Sequence, residues 1–349
     1  MPPKPGQGHD IDPNRPLETG KLPGPLLDHL VDTYRTAPDP TVVVAPGYGL
    51  DAAAIDVGAD LPIIVNSDPI TFATDAAAAY LVAVNANDIA CMGGIPRWFS
   101  VVLLLPEETT AGVVETLFAD LQTACNASGV SVIGGHTEVT AAVNRPVFVG
   151  TMIGTAGPAG VITPGNAQPG DDLLLTKWIG IEGTALLARE KAAELEPVLG
   201  SPLVRRAAKL LRLPGISVVA DAMAVLSTSG VRALHDPTEG GVATAIHELA
   251  SASGCGAEVL VRALPILTET RMICDYFAID PLGLLSSGAL LIAADPVHRA
   301  GIVAAAGSAG IQVSHIGRLA ALSAGITMIG EAGRSALPRF DADEVTRVL

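Results

Sequence analysis

The sequence has few aromatic and few basic residues. Phe, Trp and Tyr make up 3% of the 349 residues, whereas hydrophobic residues together make up 49%. Ala, Val, Leu and Ile must therefore form the cores. Lys and Arg number 21 against 36 Asp and Glu, which gives a net charge of −15. Nucleic-acid binding depends on clustered basic side chains, and no basic run is present, so this composition argues against nucleic acid as a partner.

Metal-binding cysteine motifs and membrane segments are also missing from the sequence. The four cysteines have no C-x-x-C spacing, which argues against a zinc site and favours small buried core residues. The apolar runs are broken by Gly, Pro, Asp or Asn before the roughly 20 residues that a spanning helix needs. Residues 1–20 are polar and Pro-rich, unlike a signal peptide. We therefore expect a cytoplasmic protein that does not bind membranes.

Alternating strand and helix patterns divide the chain into two units. Residues 1–24 are rich in Pro, Gly and charge, which is typical of a flexible arm. A first series of strands and helices covers residues 25–157, and the run Thr155-Ala-Gly-Pro-Ala-Gly160 is typical of a connection. A second series covers residues 165–335, and residues 336–349 form a tail. This order of elements predicts an α/β (α+β) fold with two domains.

Polar side chains follow or interrupt apolar segments at three places in the first unit. Gly49 and Asp51 come after a predicted strand, where they form either a plain turn or a phosphate-binding loop. Asp68 stands at the carboxyl end of the next strand, a usual place for ligand-binding groups. Asn85 and Asp88 share one face of a helix that is apolar nearly all round and is therefore predicted to be buried. A buried carboxylate needs a partner or a cation, so this pair indicates a polar network or a metal site.

Two further motifs contain paired glycines. The segment Gly134–Glu138 (Gly-Gly-His-Thr-Glu) follows a predicted strand, and either forms the tip of a hairpin or approaches a ligand closely. In the second unit, the segment His235–Gly241 opens a helix, and helix capping is the alternative to a catalytic role for Asp236. Oxygen ligands favour Mg²⁺ or Ca²⁺ over zinc, and Mg²⁺ combines one or two carboxylates with substrate phosphates. Neither a P-loop nor a strand-linked G-x-G-x-x-G motif occurs.

Taken in order, these motifs resemble the PurM-like superfamily of aminoimidazole ribonucleotide (AIR) synthetase-related proteins. The similarity runs from about residue 18 to 330 and rests on six segments: Gly20-Lys-Leu-Pro, Gly47-x-Gly-x-Asp51, Asp68-Pro-Ile-Thr-Phe, Val84-Asn-Ala-Asn-Asp88, Gly134-Gly-His-Thr-Glu and Asp236-x-Thr-x-Gly-Gly. Within the superfamily, the run Thr176-Lys-Trp-Ile-Gly-Ile-Glu-Gly-Thr184 is most similar to the hydrogenase-maturation HypE family. The resemblance implies an N-terminal α/β domain that dimerises through its sheet, a C-terminal α/β domain, and thus a homodimer.

The resemblance also implies roles for individual residues around ATP and Mg²⁺. The metal or phosphate-site carboxylates would be Asp51, Asp68 and Asp88. The residues near the nucleotide would be Lys21, Gly49, Asn85, Gly134, Gly135, Thr137 and Glu138. The catalytic candidates are Asp236, His136 and Lys177.

The sequence departs from the HypE pattern at three places. Leu50 stands where many relatives carry a second acid beside Asp51, and His136 replaces a frequent Asp. Members of the HypE family use a C-terminal cysteine as the acceptor of a carbamoyl group. Residues 338–349 contain no cysteine, and the last one in the sequence is Cys274. We therefore expect that reaction to be absent in its usual form and the tail to be dispensable for ATP hydrolysis.

The superfamily resemblance implies an enzyme that uses ATP to phosphorylate an amide, carbamoyl or carbonyl oxygen on a small molecule or a partner protein. A kinase of the thiamine-monophosphate type is the alternative enzyme. A nucleotide-binding partner protein in metalloenzyme maturation, without turnover, is the alternative that is not an enzyme.

Overall fold

The computed structural model describes residues 39–45, 49–58, 60–70 and 76–349. The predicted arm at 1–24, including Lys21, lies outside the described residues. The strands are β1 (Val42–Val44), β2 (Ala53–Ile55), β3 (Ile63–Ile70), β4 (Gly94–Leu105), β5 (Ser131–Val139), β6 (Val147–Ala156), β7 (Asp172–Thr176), β8 (Val231–His235), β9 (Cys255–Leu260), β10 (Leu291–Ala294), β11 (Val313–Ala321), β12 (Ile326–Gly330) and β13 (Gly333–Ala336). The helices are α1 (Ala77–Cys91), α2 (Ala111–Ala127), α3 (Ile181–Glu190), α4 (Ala192–Leu199), α5 (Ser201–Ala208), α6 (Val219–Leu226), α7 (Gly241–Ser253), α8 (Thr268–Phe277) and α9 (Arg299–Ser308).

Each half of the chain is built on one mixed sheet. Within the described residues, the N-terminal sheet has six strands in the order β1-β2-β3-β6-β4-β5, of which β4 and β5 pair in parallel and the other neighbours antiparallel. In the same part of the chain, the C-terminal sheet has seven strands in the order β13-β12-β9-β11-β7-β10-β8, of which β12 and β9 pair in parallel and the other neighbours antiparallel. The prediction of two α/β domains is therefore confirmed at the level of architecture.

Helix α1 is the main contact between the two halves. It packs on β3, β4 and β6 on one side, and on α6 and β8 on the other. Ala90 and Cys91 belong to the same buried cluster as Leu174, Leu234 and Ile292 of the C-terminal sheet. A helix enclosed on all sides needs no polar face, which explains its nearly uniform Ala-rich sequence and confirms that it is buried.

The sequence pattern predicts strands at Ser100–Leu105 and Val130–Ile133, and both extend further in the structure. β4 begins at Gly94 and includes Pro96, which pairs with Gly154 of β6. β5 joins the other side of β4 only from Trp98 onward, so β4 has one free edge at Pro96, the kind of position where proline is tolerated in a sheet. β5 itself continues to Val139, so the predicted Gly134–Glu138 loop is wrong. This segment is an edge strand that pairs in register with β4.

Residues 336–349 are packed against the C-terminal domain. Leu337 lies in the core under the sheet, and Val345 is fully buried among residues of α3, α5 and α8. Asp343 and Glu344 are also buried. The tail that the sequence indicates at residues 336–349 is therefore not a free tail in the structure, because buried apolar side chains anchor it to two cores.

Candidate functional site

Four carboxylates from both halves come together beside α1. Asp51 precedes β2, Asp68 lies in β3, Asp88 lies in α1, and Asp236 follows β8. Burial and then the negative charges of Asp236, Asp68 and Asp51 raise the pKa of Asp88 well above its ordinary value. The motifs that the sequence singled out separately therefore form one acidic group.

Two asparagines organise this group. Asn66 donates its amide hydrogens to Asp68 Oδ2, at 3.1 Å, and to Asp88 Oδ2, and so bridges β3 to α1. The amide of Asn85 binds backbone: its Oδ1 accepts from Asp68 N at 3.1 Å, and its Nδ2 donates to Leu81 O at 2.9 Å and Asp68 O at 3.3 Å. Asn85 thus fixes the strand that carries Asp68, and the structure gives it a supporting place within the predicted network.

A buried histidine ties Asp51 to the second domain. His235 Nδ1 lies 2.7 Å from Asp51 Oδ1, and its Nε2 lies 2.9 Å from Glu248 Oε2 on α7. Burial opposes the charged ring, but the two carboxylates outweigh it and raise the pKa of His235 well above its ordinary value. A charged His235 holds Asp51 in one orientation by a charge-assisted contact.

Gly49 allows this approach between the domains. Its φ is +74°, which disfavours side chains. A Cβ at this position would lie 2.9 Å from the backbone oxygen of Glu248. Glycine is therefore required for the segment that carries Asp51 to pack against α7. This packing explains the glycine at position 49 without a role in phosphate binding.

A thiol adjoins the acidic group. Cys91 Sγ donates to Asp236 Oδ1 at 3.6 Å, one turn along α1 from Asp88. Asp51, Cys91 and Asp236 offer ligand atoms that all lie within 4.8 Å of one another. The prediction that Cys91 is a buried core residue is confirmed, and the structure adds its contact with Asp236.

The donor set fits a hard divalent cation. Among the described residues, Asp51 Oδ2 and Asn66 Oδ1 are buried and have no hydrogen-bond partner. Unsatisfied buried oxygens are costly, and several carboxylate oxygens in one place suit Mg²⁺, which prefers oxygen ligands. The oxygens of the acidic group therefore have the chemistry of a Mg²⁺ site, but the ligand atoms within 4.8 Å of one another belong to Asp51, Cys91 and Asp236 rather than to the predicted Asp51, Asp68 and Asp88.

The structure places Lys177 in a different environment. Its Nζ donates to Ser217 O at 2.7 Å and lies 3.1 Å from Asp221 Oδ2, and both side chains of this ion pair are buried. Burial lowers the pKa of Lys177, whereas Asp221 acts in the opposite direction. These contacts are with the segment before α6 and with α6 itself rather than with the four carboxylates, so a catalytic role for Lys177 stays a prediction.

The residues of β5 occupy the outer edge of the N-terminal sheet. All nine residues from Ser131 to Val139 are exposed, and His136 Nε2 lies 3.1 Å from Glu138 Oε2. Strands β4 and β6 separate β5 from β3, which carries Asp68. The structure therefore does not bring Gly134, Gly135, His136, Thr137 and Glu138 into the acidic group, and their roles at a nucleotide stay predictions.

Sequence reasoning missed His235, Glu248 and Cys91 as parts of the site. The sequence pattern places His235 in a turn directly before Asp236, whereas the residue ends the unpredicted strand β8. Glu248 has no local signal, because it reaches the site only through the packing of α7. Cys91 follows Asp88 by three residues, and helical spacing alone puts the two on one face.

Comparison with known proteins identifies the family. The family model described as AIR synthase related protein, N-terminal domain, matches residues 49–156, and its C-terminal counterpart matches residues 168–327. Carbamoyl dehydratase HypE of Rhodobacter capsulatus is 30% identical over 264 residues, which are 73% of each chain. No helix in the described residues has the length and apolarity needed to cross a membrane.

Solved structures share the fold at lower identity. The hydrogenase maturation protein HypE in complex with ATP has a TM-score of 0.64 and 23% identity, covering 89% of this chain and 92% of that one. AaThiL complexed with AMPPCP and TMP has a TM-score of 0.68 and 19% identity, covering 88% and 93%. The two matched family models correspond to the two domains of the structure. The chain belongs to the PurM-like superfamily of AIR synthase-related proteins.

Proposed function

We propose that this protein is an ATP- and Mg²⁺-dependent enzyme that activates an amide, carbamoyl or carbonyl oxygen by phosphorylation. The observation that carries the proposal is the convergence of Asp51, Asp68, Asp88 and Asp236, which raises the pKa of Asp88. Like charges held together in a buried place are unfavourable unless a cation neutralises them. A metal ion bound to phosphates would neutralise these charges and would explain why the four carboxylates lie together.

The N-terminal half supplies the residues that would hold the metal. These are Asp51, Asp68 and Asp88, with Asn66 fixing two of the carboxylates and His235 fixing the third. Bound Mg²⁺ would neutralise phosphate charge and polarise the transferring group. Asp236 lies beside these residues but on the second domain, where it can hold a proton or orient the acceptor as the phosphate moves.

Relatives support the use of ATP. One structure with this fold is HypE in complex with ATP, and another is AaThiL complexed with AMPPCP and TMP. The curated relatives at about 30% identity include carbamoyl dehydratases, which favours activation of a carbamoyl-type oxygen. The fold that this chain shares with AaThiL supports a small-molecule kinase as the second candidate function.

The test is the stabilisation of the full-length protein by ATP with and without Mg²⁺, measured as the shift in melting temperature. A ligand at 100 times its Kd adds about 2.7 kcal/mol to folding. We expect a clear shift for the wild type with Mg²⁺-ATP and its loss in Asp88→Asn. The apo Asp88→Asn protein should be at least as stable as the wild type, because the substitution removes one of several like charges.

Asp120→Asn is the matched control, because it makes the same chemical change on an exposed position of α2. It should keep the full Mg²⁺-ATP shift. Equal shifts for Asp88→Asn and the wild type would remove Asp88 from the site. Analysis of ADP, inorganic phosphate and phosphorylated product with candidate amides then separates the two enzymes, since a kinase leaves the phosphate on its product.

A further inference from the structure

The loop that carries Asp236 has an unusual backbone conformation. Between β8 and α7, Gly240 and Gly241 have φ angles of +76° and +63°, and Gly241 N donates to Thr238 O at 3.0 Å. A Cβ on Gly241 would lie 2.4 Å from Leu282 O. Two successive glycines have wide conformational freedom, so neighbouring groups must select the observed conformation.

One buried carboxylate binds this loop from a distant part of the sequence. Asp343 Oδ2 accepts a hydrogen bond from Gly240 N at 2.8 Å, and Asp343 Oδ1 accepts one from Val345 N at 2.8 Å. The second bond caps the short 3₁₀ helix Glu344–Arg347. A single side chain thus joins the Asp236 loop to the C-terminal segment by two hydrogen bonds from backbone N–H groups.

The C-terminal segment is itself firmly attached. Thr244 Oγ1 on α7 donates to Phe340 O at 3.3 Å, and His247 Nε2 lies 3.4 Å from Leu337 O. Leu337 and Val345 are buried in two different cores. The segment can therefore act as a fixed support for the start of α7.

We propose that Asp343 is a positioning residue, which holds the loop so that Asp236 keeps its place among the carboxylates. Asp343 binds the loop at Gly240, beyond Asp236 along the chain, and therefore acts through the backbone. The Thr238–Gly241 turn transmits this restraint towards Asp236. The consequence for turnover rests on the proposed function, whereas the consequence for the loop does not.

The test compares Asp343→Asn with Glu344→Gln in the full-length protein. In the first variant, a side-chain amide replaces the carboxylate, so that one acceptor oxygen becomes a donor that faces a backbone N–H group. Glu344 is also buried and lies on the same segment, but it accepts from Asp280 N at 2.9 Å instead of from the loop. Glu344→Gln therefore reports general loosening of the segment.

Hydrogen–deuterium exchange of peptides covering 236–244 is the first measurement. Loss of a bond to a buried N–H changes a local opening equilibrium by about tenfold or more. We expect such faster exchange in Asp343→Asn but not in Glu344→Gln. Thr244→Val, which removes only the Thr244–Phe340 bond, should give a smaller increase and replaces Asp343→Asn if that variant does not fold.

Hydrolysis of Mg²⁺-ATP is the second measurement. We expect kcat to fall about tenfold or more in Asp343→Asn with KM for ATP within about threefold, because the nucleotide would be held by the other domain. Unchanged loop exchange in Asp343→Asn, equal effects in Glu344→Gln, or faster exchange with unchanged kcat would each overturn the proposal. A wild type that neither hydrolyses Mg²⁺-ATP nor transfers its phosphate to candidate amides would refute the proposed function, and loop exchange would still decide whether Asp343 holds the loop.

Discussion

Replacement of Glu182 by Gln should change how the stability of the protein depends on pH. Glu182 lies in the first turn of α3, with 6% of its surface exposed. Burial raises its pKa from 4.5 to about 8; Ser287 acts in the opposite direction, and Glu239, Asp343 and Asp236 raise it further. Its neighbours make an ionised Glu182 unfavourable in the folded protein.

The size of the effect follows from the two pKa values. The folded protein keeps the proton of Glu182 up to about pH 8, whereas the unfolded chain releases it near pH 4.5. The contribution of protonated Glu182 to the free energy of unfolding is therefore complete below pH 4.5, and it is lost as the pH rises to about 8. At 1.36 kcal/mol per pH unit, the loss reaches about 5 kcal/mol at most. Glu182→Gln removes this titration, so its free energy of unfolding should increase relative to that of the wild type as the pH rises through that range.

Urea unfolding from pH 5 to pH 9 measures the difference in free energy of unfolding between variant and wild type, so that other titrating groups cancel. We expect this difference to grow in favour of Glu182→Gln by several kcal/mol, levelling off above pH 8. Glu190→Gln, at the exposed end of the same helix, should show a flat difference. A flat difference for Glu182→Gln would show that the folded protein ionises Glu182 as easily as the unfolded chain does, and the reasoning from burial would fail.

Three further predictions concern the domain contact, the C-terminal segment and the assembly. Asn87 accepts from Val218 N at 2.8 Å and donates to Ile216 O at 2.9 Å, so Asn87→Ala should lower the free energy of unfolding by about 3 kcal/mol; a loss below about 1 kcal/mol in urea unfolding would contradict it. Val345→Ala should cost about 2 kcal/mol, whereas the exposed Leu349→Ala should cost little, and equal small losses would restore the picture of a free tail. Light scattering should give about twice the 35.5 kDa of one chain, and a monomer mass at micromolar concentration would refute the proposed homodimer.

The domain order and most of the acidic group could be predicted from the sequence, because these depend on local patterns. The sequence pattern places Asp51 and Asp68 near strand ends and Asp88 within an apolar helix, where a carboxylate needs a partner or a cation. Periodicity could not show that Gly134–Glu138 continues a strand, since its pairing depends on β4, some 35 residues earlier along the chain. Strands of this kind are decided by partners rather than by propensity.

Long-range contacts account for the parts of the site that could not be predicted. Asp343 binds Gly240, about 100 positions earlier, and Glu248 reaches Asp51, about 200 positions earlier, through His235. Neither lies in a motif, and an Asp before a Glu in a polar segment is typical of solvent-exposed chain. The packing of Val345 and Leu337, together with the bonds of Asp343 and Glu344, brings the segment back to the domain.

The position of Asp236 relative to Asp88 depends on the contact between the domains, and the structure shows which groups fix that contact. The side-chain amide of Asn87, next to Asp88 on α1, forms hydrogen bonds with the backbone at Ile216 and Val218. Lys177 holds Ser217 O in the same segment and pairs with Asp221. Because buried polar groups are costly when a partner is lost, these bonds resist sliding of α1 over the C-terminal domain. Lys177, which the motifs indicated as a catalytic residue, therefore has a structural role that follows from its contacts: it fixes the surface on which α1, the helix that carries Asp88, packs.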